Sequence, residues 1–211
     1  MLYNYYSYKI NTPNKTLLQI GQYSVLLHIQ ILLTMYFYSG YNYISCAMFN
    51  FEYFNGTISM LLIIEHAVWL HVLWTLGRPP YHSLFVSYLG VFVLTSAWIM
   101  EVVVPIEPDP FRHHVLYAII FVAGCMINLF ASLQLLPGNR QGVDASYKYL
   151  GGFIGLMGVL SSLTWFGIWL LRRLTDIKTD WRIESFLQIT GYTTYLAAVG
   201  VVLHYCMELN K

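Results

Sequence analysis

Of the ten acidic residues in this 211-residue chain, only Glu65 falls deep inside a long apolar stretch. A charged carboxylate at the middle of a bilayer costs at least about 2.5–3.5 kcal/mol on insertion scales. Glu65 must therefore face protein, hold a proton, or find a partner. His66 adjoins it and Trp69 lies one helical turn on. Glu65, His66 and Trp69 are the candidate intramembrane polar site. Two roles remain open for it: a proton-linked carboxyl group, or a carboxylic acid that hydrogen-bonds a neighbouring helix and serves packing alone.

Histidine is the second chemistry-bearing type. His28, His66, His71 and His204 all lie in apolar stretches, which raises the prospect of a haem held by a histidine pair from facing helices. No spacing fixes such a pair, and a lone intramembrane histidine also serves as a hydrogen-bonding group between helices. His113-His114 follows a proline-rich link and falls at an interface. Arg112, Arg172 and Arg173 are candidate lipid-phosphate contacts, since basic groups at helix ends hold anionic head groups, with simple interfacial anchoring as the alternative. There is no Walker loop, nucleophile elbow, HExxH or Gly-x-Gly-x-x-Gly pattern, so no catalytic residue is assigned. Cys46, Cys125 and Cys206 are far apart and form no CxxC pair, which argues against a disulfide framework or a cysteine zinc site.

The elements that must position these groups follow from composition. Apolar residues make up 57% of the chain and charged residues only 10%, against about 45–50% and about 25% in soluble domains. Mean hydropathy is +0.56. So few charges cannot cover a soluble surface of this size, and lipid must be the outer solvent. The net charge of +1 gives no bulk argument for nucleic acid. Spanning helices need about 20 mainly apolar residues. The expected fold is an all-α, polytopic bundle of about six spans, near 18–38, 58–76, 83–104, 114–136, 149–171 and 185–206. Residues 1–17 read as an extramembrane segment and 18–211 as one transmembrane domain.

Breakers punctuate the gaps: Gly77-Arg78-Pro79-Pro80, then Pro105, Pro108 and Pro110, then Pro137-Gly138. Residues 39–57 form the one long connection. Alternating segments of a membrane barrel are absent. The positive charges divide six against five between the two sides, but four of the five lie in the last link, which leans that link toward the electronegative side of the membrane. Gly151, Gly155, Gly158 and Ser162 share one helical face and predict a close helix–helix seam. Residues 1–16 carry neither a signal-peptide nor a transit-peptide pattern. Asn14-Lys15-Thr16 and Asn55-Gly56-Thr57 match the glycosylation tripeptide, relevant only if they face the endoplasmic reticulum lumen.

Taken along the chain, residues 30–205 resemble subunit III of the haem–copper oxidases. Leu32-Leu33-Thr34-Met35 is similar to the end of that family's second helix. Gly56 and Met60-Leu61-Leu62-Ile63-Ile64-Glu65 resemble its glycine, Met-Leu-Leu and buried glutamate, and Trp74 falls where the family places a tryptophan. Arg78-Pro79-Pro80 resembles Trp-Pro-Pro, and Met100-Glu101 a Met-Glu before the fifth helix. His114-Val115-Leu116 through Leu133-Gln134 resembles a helix opening on His-x-Leu and closing on Leu-Gln. Asp144 and Tyr147 resemble an Asp-Gly-x-Tyr loop, and Gly152-Phe153-Ile154-Gly155-Leu156 resembles Gly-Phe-His-Gly-x. Arg172 and Glu184 stand near the family's Arg and Glu. The chain departs where the family has two histidines, at Ile154 and Met157, and a His-Phe-x-Asp run, at Gly191-Tyr192-Thr193-Thr194. The family's first helix has no counterpart, which affects the lipid-filled cleft between its first two helices and the rest.

The resemblance implies a subunit without redox metal of its own, with haem and copper in partner chains. It implies packing against the catalytic subunit I and other membrane subunits, support of proton uptake and sustained turnover, and bound phospholipid, cardiolipin included. It also implies the mitochondrial inner membrane, with the last link facing the matrix; the lack of a transit peptide fits synthesis inside the organelle. Two other readings rest on the residues alone: a b-type haem membrane anchor, from the four histidines, and a secretory-pathway scaffold or lipid-handling protein, from the two tripeptides.

Overall fold

The computed structural model describes residues 13–40, 52–76, 85, 88–93, 96, 111–135, 146–175 and 177–209, with the side chains of 52–55, 76, 111–116, 131, 132, 135 and 173 excepted. Among the described residues, five long helices carry the fold: α1 Lys15–Tyr38, α2 Glu52–Leu76, α3 Phe111–Leu135, α4 Ser146–Leu174 and α5 Trp181–Glu208. No strand occurs among the described residues. Four of these helices, α1, α2, α4 and α5, are long and apolar enough to cross a membrane, and α3 contains a shorter apolar stretch, Tyr117–Phe130. The chain is a multi-pass helical membrane protein. Of the expected span 83–104, only residues 85, 88–93 and 96 are described, and all are helical. The three breaker clusters, Cys46, Met100-Glu101 and Asp144 lie outside the described residues.

Every observed helix reaches beyond the apolar stretch that announces it, because hydropathy marks only the membrane-crossing part while capping marks the end. α1 starts three residues early, at Lys15, since the Asn14 side chain accepts hydrogen bonds from Thr16 N at 2.9 Å and Leu17 N at 3.3 Å. The N-terminal segment thus gives up residues 15–17 to the first span. α5 starts at Trp181 because Asp180 accepts from Arg182 N at 2.9 Å. At about 1.5 Å per residue, the 28 and 29 residues of α5 and α4 exceed the roughly 30 Å hydrocarbon layer. Hydroxyls inside the spans bond back to their own helix: Thr34 to Gln30 O, Thr75 to His71 O, Thr164 to Leu160 O and Thr193 to Ile189 O. That arrangement lets threonine sit in lipid without stranding a donor.

α5 is the hub. It packs along α4 and against α1; α1 also packs on α2, and α3 meets α4 and, more lightly, α2. Buried residues run the length of α5, from Glu184 to Cys206. α4 is peripheral and presents Phe153, Leu156, Leu160, Leu163, Leu170 and Leu171 outward, as a lipid-facing helix must.

The predicted small-residue seam is present. A methyl group on Gly158 would stand 2.6 Å from Thr194 Oγ1 and 3.0 Å from the Gly191 carbonyl oxygen, and one on Gly191 would stand 2.5 Å from Ser162 Oγ. Gly151 faces Val202 in the same way, while Gly155 meets Leu129 of α3 as well as Ala198. Backbone contact of this kind drives helix association where lipid offers no hydrophobic gain. Gly158→Leu is expected to lower stability by at least about 1–3 kcal/mol through overpacking. Unfolding in mixed micelles reads this directly; an unchanged midpoint would contradict the seam.

Candidate functional site

α1 places Ser24 and His28 four residues apart on the face that meets α2 and α5. Glu65 comes to this face from α2 and Tyr192 from α5. His28 Nδ1 lies 3.0 Å from Glu65 Oε1 and 3.1 Å from Oε2. Ser24 Oγ lies 3.4 Å from Glu65 Oε1 and 3.3 Å from the Leu61 carbonyl oxygen, both acceptors for its proton. On the far side of the ring, His28 Nε2 is 3.3 Å from the Tyr192 hydroxyl, and the two rings meet edge to face. His28 is fully buried and Glu65 is 4% exposed, so bulk water solvates neither. Phe121 of α3 closes the group by an edge contact on Tyr192.

A second polar layer lies one turn along the same helices. Trp69 Nε1 donates to Asn128 Oδ1 at 2.9 Å, and Asn128 Nδ2 donates to the Tyr195 oxygen at 3.2 Å. All three side chains are buried. The two layers together tie α1, α2, α3 and α5 by side-chain hydrogen bonds, each polar group turned inward where hydrocarbon cannot satisfy it. His66 is buried on α2 within electrostatic reach of His28. Thus Glu65, His66 and Trp69 all face protein, but they divide between two layers, and Glu65 and Trp69 bond to different helices.

The sequence pattern did not single out Ser24, Asn128 or Tyr195, and it named Tyr192 without a role. Asn128 carried a usable signal: it is an amide deep in an apolar stretch, where the only hydrogen-bond partners are other helices. Ser24 and His28 at i, i+4, and Tyr192 and Tyr195 at i, i+3, carried a weaker one.

The arginines divide as well. Arg172 Nη1 meets Glu184 Oε1 at 2.9 Å, and Thr179 Oγ1 donates to the same oxygen at 2.7 Å. Glu184 is fully buried while Arg172 keeps 31% of its side chain exposed. Arg172 is therefore first a clamp between the end of α4 and the start of α5. The side chains of Arg112, Arg173, His113 and His114 lie outside the described residues.

The histidines point to separate partners. Both ring nitrogens of His28 face Glu65 and Tyr192. His71 Nε2 accepts the Asn14 N–H at 3.1 Å, and His204 lies 3.8 Å from Glu208 with its ring against Tyr147. An axial ligand needs a nitrogen lone pair aimed at iron, and this geometry commits His28 and His71 elsewhere. Among the described residues, no three His, Cys, Asp or Glu side chains gather as a metal site. Of the glycosylation tripeptides, Asn14 caps α1 with its side chain, and the backbone of Asn55 lies within helix α2.

No protein-family model, no curated protein and no solved structure matches the chain.

Proposed function

We propose that this protein is a non-redox membrane subunit of a respiratory haem–copper oxidase, in which electrons pass from cytochrome c to oxygen in partner chains. The observation that carries this reading is Glu65. The ordered similarities run through Met60-Leu61-Leu62-Ile63-Ile64-Glu65 to Trp74, and the carboxyl group they predict to be buried is buried, on α2, among groups from α1 and α5. Trp74, nine residues on, is 79% exposed and lies on the outer surface of α2. An exposed indole suits an interface with lipid or with another membrane subunit.

On this reading the chain packs beside the catalytic subunit I, holds phospholipid such as cardiolipin near its basic link, and belongs to the mitochondrial inner membrane. It supplies no catalytic residue. Its part is to keep proton uptake and turnover going, with Glu65 in a closed polar site. The histidine assignments above weaken the haem-anchor reading, and the helical setting of Asn55 weakens the secretory one.

The test is isolation of the chain from its native membrane in mild detergent. Haem–copper centres carried by other chains are expected in the same complex, visible by spectrum and subunit composition. Recovery of the chain with partners that lack such centres would overturn the proposal. Within the complex, Glu65→Gln is expected to leave assembly and the initial rate intact and to shorten the period of sustained turnover. A turnover record identical to that of the unmodified complex would reduce Glu65 to a packing group.

A further inference from the structure

The His28–Glu65 contact has the form of a carboxylate facing an N–H donor. A neutral carboxyl group has one hydroxyl and one carbonyl oxygen, and it would engage Nδ1 through one of them, donating from the hydroxyl or accepting at the carbonyl. Here Nδ1 stands 3.0 and 3.1 Å from the two oxygens, and the Ser24 hydroxyl lies within reach of one of them. Two carboxyl oxygens near-equidistant from one ring nitrogen is the arrangement an ionised carboxylate makes with an N–H donor. On the other edge of the ring, the Tyr192 hydroxyl stands 3.3 Å from Nε2, where it can accept from an Nε2–H. Both residues are buried inside a bundle whose outer solvent is hydrocarbon, where a single charge of either sign is strongly disfavoured.

We propose that His28 and Glu65 form a closed single-proton site: an imidazolium–carboxylate pair of zero net charge, locked between α1, α2 and α5 with Tyr192 on its far side. The ligand is one proton, held on the imidazole and shared toward the carboxylate. Removing it would leave one negative charge in an apolar core, and adding a second would leave one positive charge there and weaken the charge-assisted hydrogen bond that joins α1 to α2. The docking of α1 is thereby linked to the retention of that proton. Other titratable groups that interact with the pair are His66 on α2 and Tyr192 and Tyr195 on α5, with Cys125 of α3 beside Tyr195. The site is a property of the bundle itself, so its test stands apart from the identity of the larger complex.

The experiment is infrared and nitrogen-15 spectroscopy of the purified protein in its native assembly near neutral pH. Glu65→Gln assigns the Glu65 bands, and the loss of one histidine signal in His28→Gln assigns His28. The native protein is expected to show no acid-carbonyl stretch that Glu65→Gln removes, and a His28 ring protonated on both nitrogens. In His28→Leu, with its cation gone, Glu65 is expected to take up the proton itself and the acid-carbonyl stretch to appear. An acid-carbonyl stretch of Glu65 in the native protein, or a His28 ring protonated on one nitrogen only, overturns the proposal. A persisting carboxylate in folded His28→Leu overturns it too. If His28→Leu does not fold, the two native measurements decide.

Discussion

Asn128→Leu is expected to destabilise the bundle by about 1–3 kcal/mol, although leucine is apolar and branches as asparagine does. The substitution takes away the acceptor of the Trp69 indole N–H and the donor to the Tyr195 oxygen. A buried polar group that loses its partner costs about 1–3 kcal/mol. Interhelical hydrogen bonds in membranes average nearer 0.6 kcal/mol, with a maximum of about 1.7. Two such losses on the membrane scale sum to about 1–3 kcal/mol, and both fall on the joint that ties α2 and α5 to α3. Denaturant titration in mixed micelles measures the effect. A loss below about 0.5 kcal/mol, the usual scale of an inconsequential substitution, would mean that Asn128 bonds are not structural.

Arg172→Leu is expected to cost roughly 3 kcal/mol. Glu184 is fully buried and Arg172 is its cation at 2.9 Å. Removing one member of a buried pair costs about 3–5 kcal/mol, because the other charge stays desolvated. The lower end applies since Arg172 is partly exposed and the pair partly screened. Arg172→Lys is expected to fall between native and leucine: it keeps the charge and loses the planar fork. The double variant Arg172→Leu, Glu184→Gln is expected to recover much of the loss, since no charge remains stranded. Unfolding measurements on the three variants settle the order; a double variant as unstable as Arg172→Leu would contradict the clamp.

Much of the fold was legible because lipid imposes a coarse rule. Apolar runs of spanning length predict helices, and α1, α2, α4 and α5 follow. The small-residue spacing in α4 predicted its seam with α5 for a similar reason: spacing on one helix states which face is flat, whatever packs there. Glu65 was legible as a buried site because no outward-facing position tolerates it. Its partner was not legible. His28 comes from another helix, 37 residues earlier, and only the docking of α1 brings them together. The imidazole that meets Glu65 comes from α1, and nothing in the local sequence around Glu65 announces it. Arg172 reads as a lipid anchor from its place at a helix end, while the structure turns it toward Glu184, because a buried carboxylate outcompetes an exposed anion for the nearest guanidinium.

The most direct test of the central arrangement is a double-mutant cycle on His28 and Glu65. Stabilities of the native chain, His28→Leu, Glu65→Gln and the double variant are measured in the same micelles. Residues in direct contact couple by about 0.5–3 kcal/mol, while independent sites add to within about 0.3–0.5 kcal/mol. The account predicts a favourable coupling of at least about 1 kcal/mol, as expected of a buried, hydrogen-bonded charge pair. Additive losses from the two single substitutions would show that His28 and Glu65 do not meet, and would contradict the site on which the functional reading rests.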